Sequence, residues 1–174
     1  MKSYYKTIKS PVGRLILIAS DKNLLAILWE NEDLTQDGIE NPERDNGHPI
    51  LCETEKQLNE YFAGTRRNFK LPLPNLFTGS EFQNKVWSAL CDIPYGETIS
   101  YEELACRIGS PKACRAVGAA NGRNFIPIII PCHRVIGKSG KLVGFGGGLN
   151  KKQHLLNLEQ DVMRKINRAL PGKN

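Results

Sequence analysis

The sequence predicts two domains of different class: a small α/β domain over residues 1–76, built from a small antiparallel sheet plus a helix, and a mostly α domain over residues 77–174 with a helix-turn-helix. Three observations carry this. Three short apolar runs separated by turn residues fill the first thirty positions. Leu71-Pro72-Leu73-Pro74-Asn75 then reads as a stiff linker. Beyond it the apolar period becomes that of helices, with start and stop signals in succession.

The elements follow in order. Tyr4–Ile8, Arg14–Ala19 and Leu24–Trp29 are expected as strands, with turns at Ser10-Pro11-Val12-Gly13 and Asp21-Lys22-Asn23. Residues 31–49 are polar and rich in Asn, Asp and Gly, which predicts a long surface loop. Ile50–Phe62 has helical period, with Gly64 as its stop. Phe69–Leu73 reads as one more short strand. In the second half, Thr78-Gly79-Ser80-Glu81 supplies an N-cap, and Phe82, Val86, Trp87, Leu90 and Ile93 form an apolar stripe. Ser100 and Glu103 form a capping box opening the next helix, and Gly109 ends it. Pro111 is expected at the first position of a second helix running to Asn121. Asn150–Glu159 is the last helix expected. Residues 160–174 form a basic tail whose Val162, Ile166 and Leu170 either continue that helix or fray.

Charge divides along the same line. Residues 1–78 carry 10 Lys and Arg against 11 Asp and Glu, whereas residues 79–174 carry 14 against 7, a net of +7 within the overall +6. A basic helix-turn-helix half suggests a nucleic-acid partner. Its second helix is nearly bare: Ala113, Ala116, Gly118, Ala119 and Ala120 surround one long cation, Arg115. A major-groove reader shows several long polar side chains. A thin helix with a single arginine favours minor-groove, sequence-tolerant contact with double-stranded DNA.

No apolar run approaches membrane-span length. The N-terminus lacks the features of a secretory signal, so a cytoplasmic protein with no membrane contact is expected. Five cysteines without framework spacing and three scattered histidines argue against a disulfide scaffold and against a metal site. A monomer without cofactor is expected.

One stretch concentrates the chemistry: Ile128-Ile129-Ile130-Pro131-Cys132-His133-Arg134-Val135. The three isoleucines read as a short buried strand or extended segment, ended by Pro131. A thiol, an imidazole and a guanidinium follow at once. Neighbours on a strand point to opposite faces, so a bridging water is the natural link from His133 to Cys132. Further on, Val143-Gly144-Phe145-Gly146-Gly147-Gly148-Leu149 is a Gly-rich loop whose spacing is not that of a P-loop. It reads as backbone that comes close to a ligand.

From Phe82 to Glu159 the pattern resembles the O6-alkylguanine-DNA alkyltransferases, also called methylated-DNA–protein-cysteine methyltransferases. The resemblance rests on Gly96-Glu97-Thr98-Ile99-Ser100-Tyr101, Arg115-Ala116-Val117-Gly118, Asn124 with Pro127, Ile130 to Val135, and Gly147-Gly148-Leu149. It implies that Cys132 accepts the alkyl group, that His133 is its base through a water, and that Glu159 orients His133. Tyr101 would donate a proton to the departing guanine oxygen. Arg115 would fill the gap left by a flipped base, with Ala116, Ser100 and Arg134 also at the DNA. Asn124 would brace the turn before the cysteine. Val135 and the Phe145-Gly146-Gly147 loop would line the guanine pocket. Cys132 stands where members that bind without repair carry Trp. No zinc set accompanies Cys52 and His48. Gly146 replaces a hydroxyl residue of some relatives.

The implied reaction is transfer of an alkyl group from O6 of guanine, with O4 of thymine a second expected position, to Cys132 after base flipping. The thioether product has no easy leaving group, so a single turnover is expected. A transcription factor whose cysteine senses alkylation is the alternative from another class; a cysteine hydrolase is a third, but no oxyanion-hole motif accompanies it.

Overall fold

In the computed structural model, residues 1–170 other than 37 and 76 are described. The chain divides into two compact units, one of Met1–Asn84 with Phe125–Ile129 and one of the remainder.

The first unit holds β1 (Ser3–Ile8), β2 (Leu15–Ser20), β3 (Leu24–Trp29), β4 (Glu43–Arg44) and helix α1 (Pro49–Phe62). The β1–β2 hairpin closes because Ser10 and Gly13 exchange backbone hydrogen bonds of 3.1 Å in both directions, with Gly13 at φ 96°. Strand order is β3-β2-β1-β4. Ile16 faces Leu28 and Ile18 faces Ala26 across the β2–β3 ladder. Those side chains share one sheet face, where Ile39 and Leu34 of the long loop pack onto them. Alternation sends Leu15, Leu17 and Ile27 to the other face. Helix α1 packs on the sheet and buries Leu51, Leu58 and Tyr61.

Two expectations are corrected here. The sheet is mixed, because β4 pairs parallel with β1 at Tyr4–Glu43 and Tyr5–Arg44. Both β4 residues are exposed and polar, so no apolar run announces them. Phe69–Leu73 forms no strand. Pro72 and Pro74 have no N–H for a ladder. Instead the Pro72 carbonyl accepts Leu24 N–H at 2.8 Å, and the Gln57 amide brackets Lys70, accepting its N–H at 2.9 Å and donating to its carbonyl at 3.0 Å.

The second unit contains helix α3 (Tyr101–Arg107), helix α4 (Cys114–Gly122), helix α5 (Leu149–Ala169) and the parallel pair β5 (Ile99–Ser100) and β6 (Val135–Ile136). Helix α2 (Glu81–Leu90) leads into it. The Ser80 hydroxyl accepts Gln83 N–H at 3.1 Å while Gln83 Oε1 accepts Ser80 N–H at 2.9 Å, a reciprocal cap at the start of α2. Ser100 caps α3 through Glu103 N–H at 3.1 Å. At the far end Gly109, at φ 75°, donates to Cys106 and Ser110 donates to Ala105, a Schellman stop. Helix α4 begins at Cys114, three residues past Pro111, because Ser110–Ala113 first closes as a separate turn. It packs on α3 and buries Val117, Ala120 and Asn121. Buried Trp87 donates its indole N–H to the Ala120 carbonyl at 2.8 Å, satisfying a polar group whose burial unpaired would cost about 1–3 kcal/mol. Helix α5 runs unbroken past Glu159 to Ala169, so most of the basic tail is helix; residues 171–174 lie outside the described residues. Among the described residues, no helix is long and apolar enough to cross a membrane.

Candidate active site

The segment that presents Cys132 is no strand. Ile128 sits at φ 75°, a left-handed backbone that a β-branched residue adopts only at a cost of about 1–3 kcal/mol. Pro131, at φ −81° and ψ 63°, forms an inverse γ-turn, closed by Cys132 N–H to the Ile130 carbonyl at 2.8 Å. A single 3-10 turn, Cys132–Arg134, follows and delivers Val135 to β6. Two amide side chains fix this path: Asn124 donates to the Ile130 carbonyl at 2.7 Å and Asn121 to the Cys132 carbonyl at 3.3 Å. Asn124 thus contacts the chain two residues before Cys132. Asn121, buried within α4, was not anticipated; its place among small residues at the buried edge of the helix is the signal that marks it.

The side chains at this turn are buried. Cys132 is 5% exposed, His133 0% and Glu159 1%. Burial pushes the Cys132 thiol up to about 11, against weaker opposing pulls from Asn124 and Lys152. His133 Nε2 pairs with Glu159 Oε2, while its Nδ1 is buried without a partner. Burial holds the imidazole below its ordinary value; Glu159 pulls the other way, and Arg134 and Lys152 add to the lowering. Burial alone would raise Glu159, but His133 and Arg134 outweigh it and hold the carboxyl well below the usual range. The second carboxylate oxygen accepts Arg134 Nε at 2.7 Å and Gly96 N–H at 3.0 Å.

Arg134 therefore departs from its expected place at the DNA. It is 6% exposed, and Nη1 donates to the Ile93 carbonyl at 2.7 Å, with the guanidinium 5.5 Å from the Tyr95 ring centre. A buried guanidinium held by a carboxylate and a backbone carbonyl is not presented to phosphates.

Tyr101 opens α3, half-buried, and donates its hydroxyl to the Val143 carbonyl at 2.8 Å. Lys152 donates to that same carbonyl at 3.1 Å and to the Val135 carbonyl at 2.6 Å. It is fully buried, and burial lowers it to about 8. The Lys151-Lys152 pair reads as surface, yet Lys152 shares the helical face of Leu155, Leu156 and Glu159, and that spacing is the signal for it. Val135 is fully buried. Phe145 and Gly147 are half-buried and Gly146 exposed, with the Phe145 carbonyl accepting Gly148 N–H at 2.9 Å where the loop enters α5.

Arg115 and Ala116 are exposed on α4, opposite the buried Val117, Ala120 and Asn121. A Cβ on Gly118 would lie 3.9 Å from the Tyr101 ring, so the bare helix runs close to that tyrosine. Ser100 is half-buried, its hydroxyl occupied by the cap. The structure thus places Cys132 and His133 in one buried turn, with Glu159 of α5 paired to His133 and the Asn124 amide on the Ile130 carbonyl. Arg115 and Ala116 stand apart on the open face of α4.

Both halves of the chain match known proteins. Residues 81–161 match the family model of the 6-O-methylguanine DNA methyltransferase DNA binding domain, and residues 3–75 that of its ribonuclease-like domain. The chain is 45% identical over 161 residues to the constitutive methylated-DNA–protein-cysteine methyltransferase of Bacillus subtilis, covering 91% of this chain and 96% of that one. It is 49% identical over 159 residues to the Mycolicibacterium paratuberculosis protein of the same name, covering 90% and 92%. The crystal structure of Mycobacterium tuberculosis O6-methylguanine methyltransferase aligns with TM-score 0.83 and 43% identity, over 98% of this chain and 96% of that one. The M. tuberculosis OGT structure in complex with DNA aligns with TM-score 0.84 and 46% identity, over 91% and 94%. With both halves of the chain matched and relatives this near over almost their full length, the chain belongs to the 6-O-methylguanine DNA methyltransferase family.

Proposed function

We propose that Cys132 Sγ takes the alkyl group from O6 of guanine in double-stranded DNA, once per protein molecule. Repair of alkylated DNA by methyl transfer is the activity of the family, and the transcription-factor alternative is not favoured. In the step proposed, sulfur attacks the alkyl carbon, the carbon–oxygen bond breaks, and the guanine oxygen leaves with the electron pair. Tyr101 gives that oxygen side a proton. His133 Nδ1, through a water, receives the proton of the thiol.

The observation that carries this reading is a buried thiol next in the chain to a Glu-paired imidazole with an open nitrogen, the thiol being pushed up to about 11 by burial. At pH 7 roughly one such thiol in ten thousand is ionised, so a base has to act during the reaction. Glu159 holds the Nε2 proton and thereby selects the tautomer in which Nδ1 accepts. Tyr101 reaches the guanine by releasing the Val143 carbonyl, where Lys152 remains as donor.

Arg115, exposed on a helix of small residues, is the side chain we assign to the space left in the duplex by the flipped nucleotide, with contact from the minor groove. Residues 1–76 serve as the supporting domain and residues 77–174 as the DNA-binding and alkyl-acceptor domain, acting as a monomer in the cytoplasm. The test is stoichiometric. With excess duplex carrying O6-methylguanine, the count of repaired sites rises to one per protein and stops; continued turnover overturns the reading.

A further inference from the structure

We propose that Arg134 is a positioning residue for alkyl transfer, sharing the Glu159 carboxylate with His133 and so keeping the imidazole ready to accept the Cys132 proton. This rests on His133 acting as the base. The carboxylate is divided between its two oxygens: Oε2 serves His133, and Oε1 serves Arg134 at 2.7 Å and the Gly96 amide at 3.0 Å. Arg134 is itself held from the other side by the Ile93 carbonyl at 2.7 Å and lies over the Tyr95 ring. Two neighbouring side chains of one turn and the distant Gly96 amide therefore fix where the carboxylate can sit.

The division has a chemical consequence. A buried carboxylate beside an imidazole draws it toward imidazolium, and an imidazolium cannot take a proton from a thiol. The charges bearing on His133 are Glu159 and Lys152 from α5 and Arg134 from its own turn, with the Cys132 thiol adjacent. Only Glu159 favours the protonated ring; Arg134 and Lys152 oppose it, as does burial. Arg134 lets Glu159 be close enough to orient the ring without protonating it. Lysine keeps the charge but lacks the fork that spans Glu159 and Ile93 at once.

The test uses the free base O6-benzylguanine, which removes DNA affinity from the measurement, and follows the transfer rate from pH 5 to 8. Arg134→Met is expected to move the ascending limb of the profile upward by about half a pH unit or more, a loss of roughly threefold or more in rate on the acid side. Arg134→Lys is expected to return the limb to its wild-type position with a lower plateau. An unshifted limb in Arg134→Met overturns the proposal. Should that variant not fold, NMR of the labelled wild-type histidines decides: His133 neutral at pH 6.5 supports the proposal, and His133 protonated there overturns it. His133→Gln separates the two layers of the argument, because a wild-type rate and profile in that variant removes the base itself.

Discussion

The His133 imidazole and the Glu159 carboxylate, 26 residues apart in the chain, meet in the interior with 0% and 1% of their side chains exposed. The pair ties the Cys132 turn to helix α5, and Arg134 completes it as the cation on the same carboxylate. A group placed this way is costly to remove from one side only.

Glu159→Gln keeps the shape and removes the charge, leaving the Arg134 guanidinium buried without its counterion. A loss of about 3–5 kcal/mol in unfolding free energy is expected. Urea denaturation measures it, alongside a fall in transfer rate to O6-benzylguanine. A loss below about 1 kcal/mol would mean that the pair carries little of the fold.

Acid should act on the same cluster in two stages. His133 is held below its ordinary 6.5, first by burial. The unfolded chain therefore binds a proton below about pH 6.5 that the folded chain refuses, and stability falls as pH drops through that range. The slope contributed is up to about 1.4 kcal/mol per pH unit. Glu159 follows at lower pH: its contribution is complete above the ordinary 4.5 and disappears as pH falls toward its depressed folded value. Urea midpoints between pH 7 and 5 should fall less steeply in His133→Gln than in the wild type; equal slopes would contradict the assignment.

Arg115 makes a different kind of contribution. It is exposed on α4, so Arg115→Ala should change stability by no more than about 0.5 kcal/mol. Repair in duplex DNA should slow much more than reaction with free O6-benzylguanine. The ratio of the two rate constants is the readout, and equal losses would take away the role in base replacement.

Gly96 sits at φ 80°, and a Cβ there would lie 2.5 Å from Met163 Cγ while its N–H serves Glu159. Gly96→Ala should cost at least about 1–2 kcal/mol from backbone conformation alone. Adding Met163→Ala should relieve the clash and leave the backbone cost. A double-mutant cycle on urea midpoints reads the coupling; strict additivity would mean the clash is absorbed elsewhere.

Local signals carried much of the fold. The Ser100–Glu103 cap, the Gly109 stop and the Ser10–Gly13 turn each depend on residues within a few positions, and the structure forms all three. Where distant segments decide, the sequence misleads. Three isoleucines read as a short strand or extended segment, yet Ile128 and Ile129 lie in a turn, and Asn124 and the Pro131 γ-turn hold the chain beyond them. Arg134 is expected at the DNA and Lys152 carries no expectation, but each finds buried acceptors from elsewhere in the chain. The meeting of His133 with Glu159 came from the family resemblance. Nothing in a 26-residue spacing announces it.

The central claim is that one sulfur, that of Cys132, receives the alkyl group. Tandem mass spectrometry of the protein after incubation with duplex DNA bearing O6-methylguanine tests it most directly. The account predicts a single methyl on the peptide containing Cys132, with Cys52, Cys91, Cys106 and Cys114 unmodified. An unmodified Cys132 in protein that has cleared the lesion would contradict it.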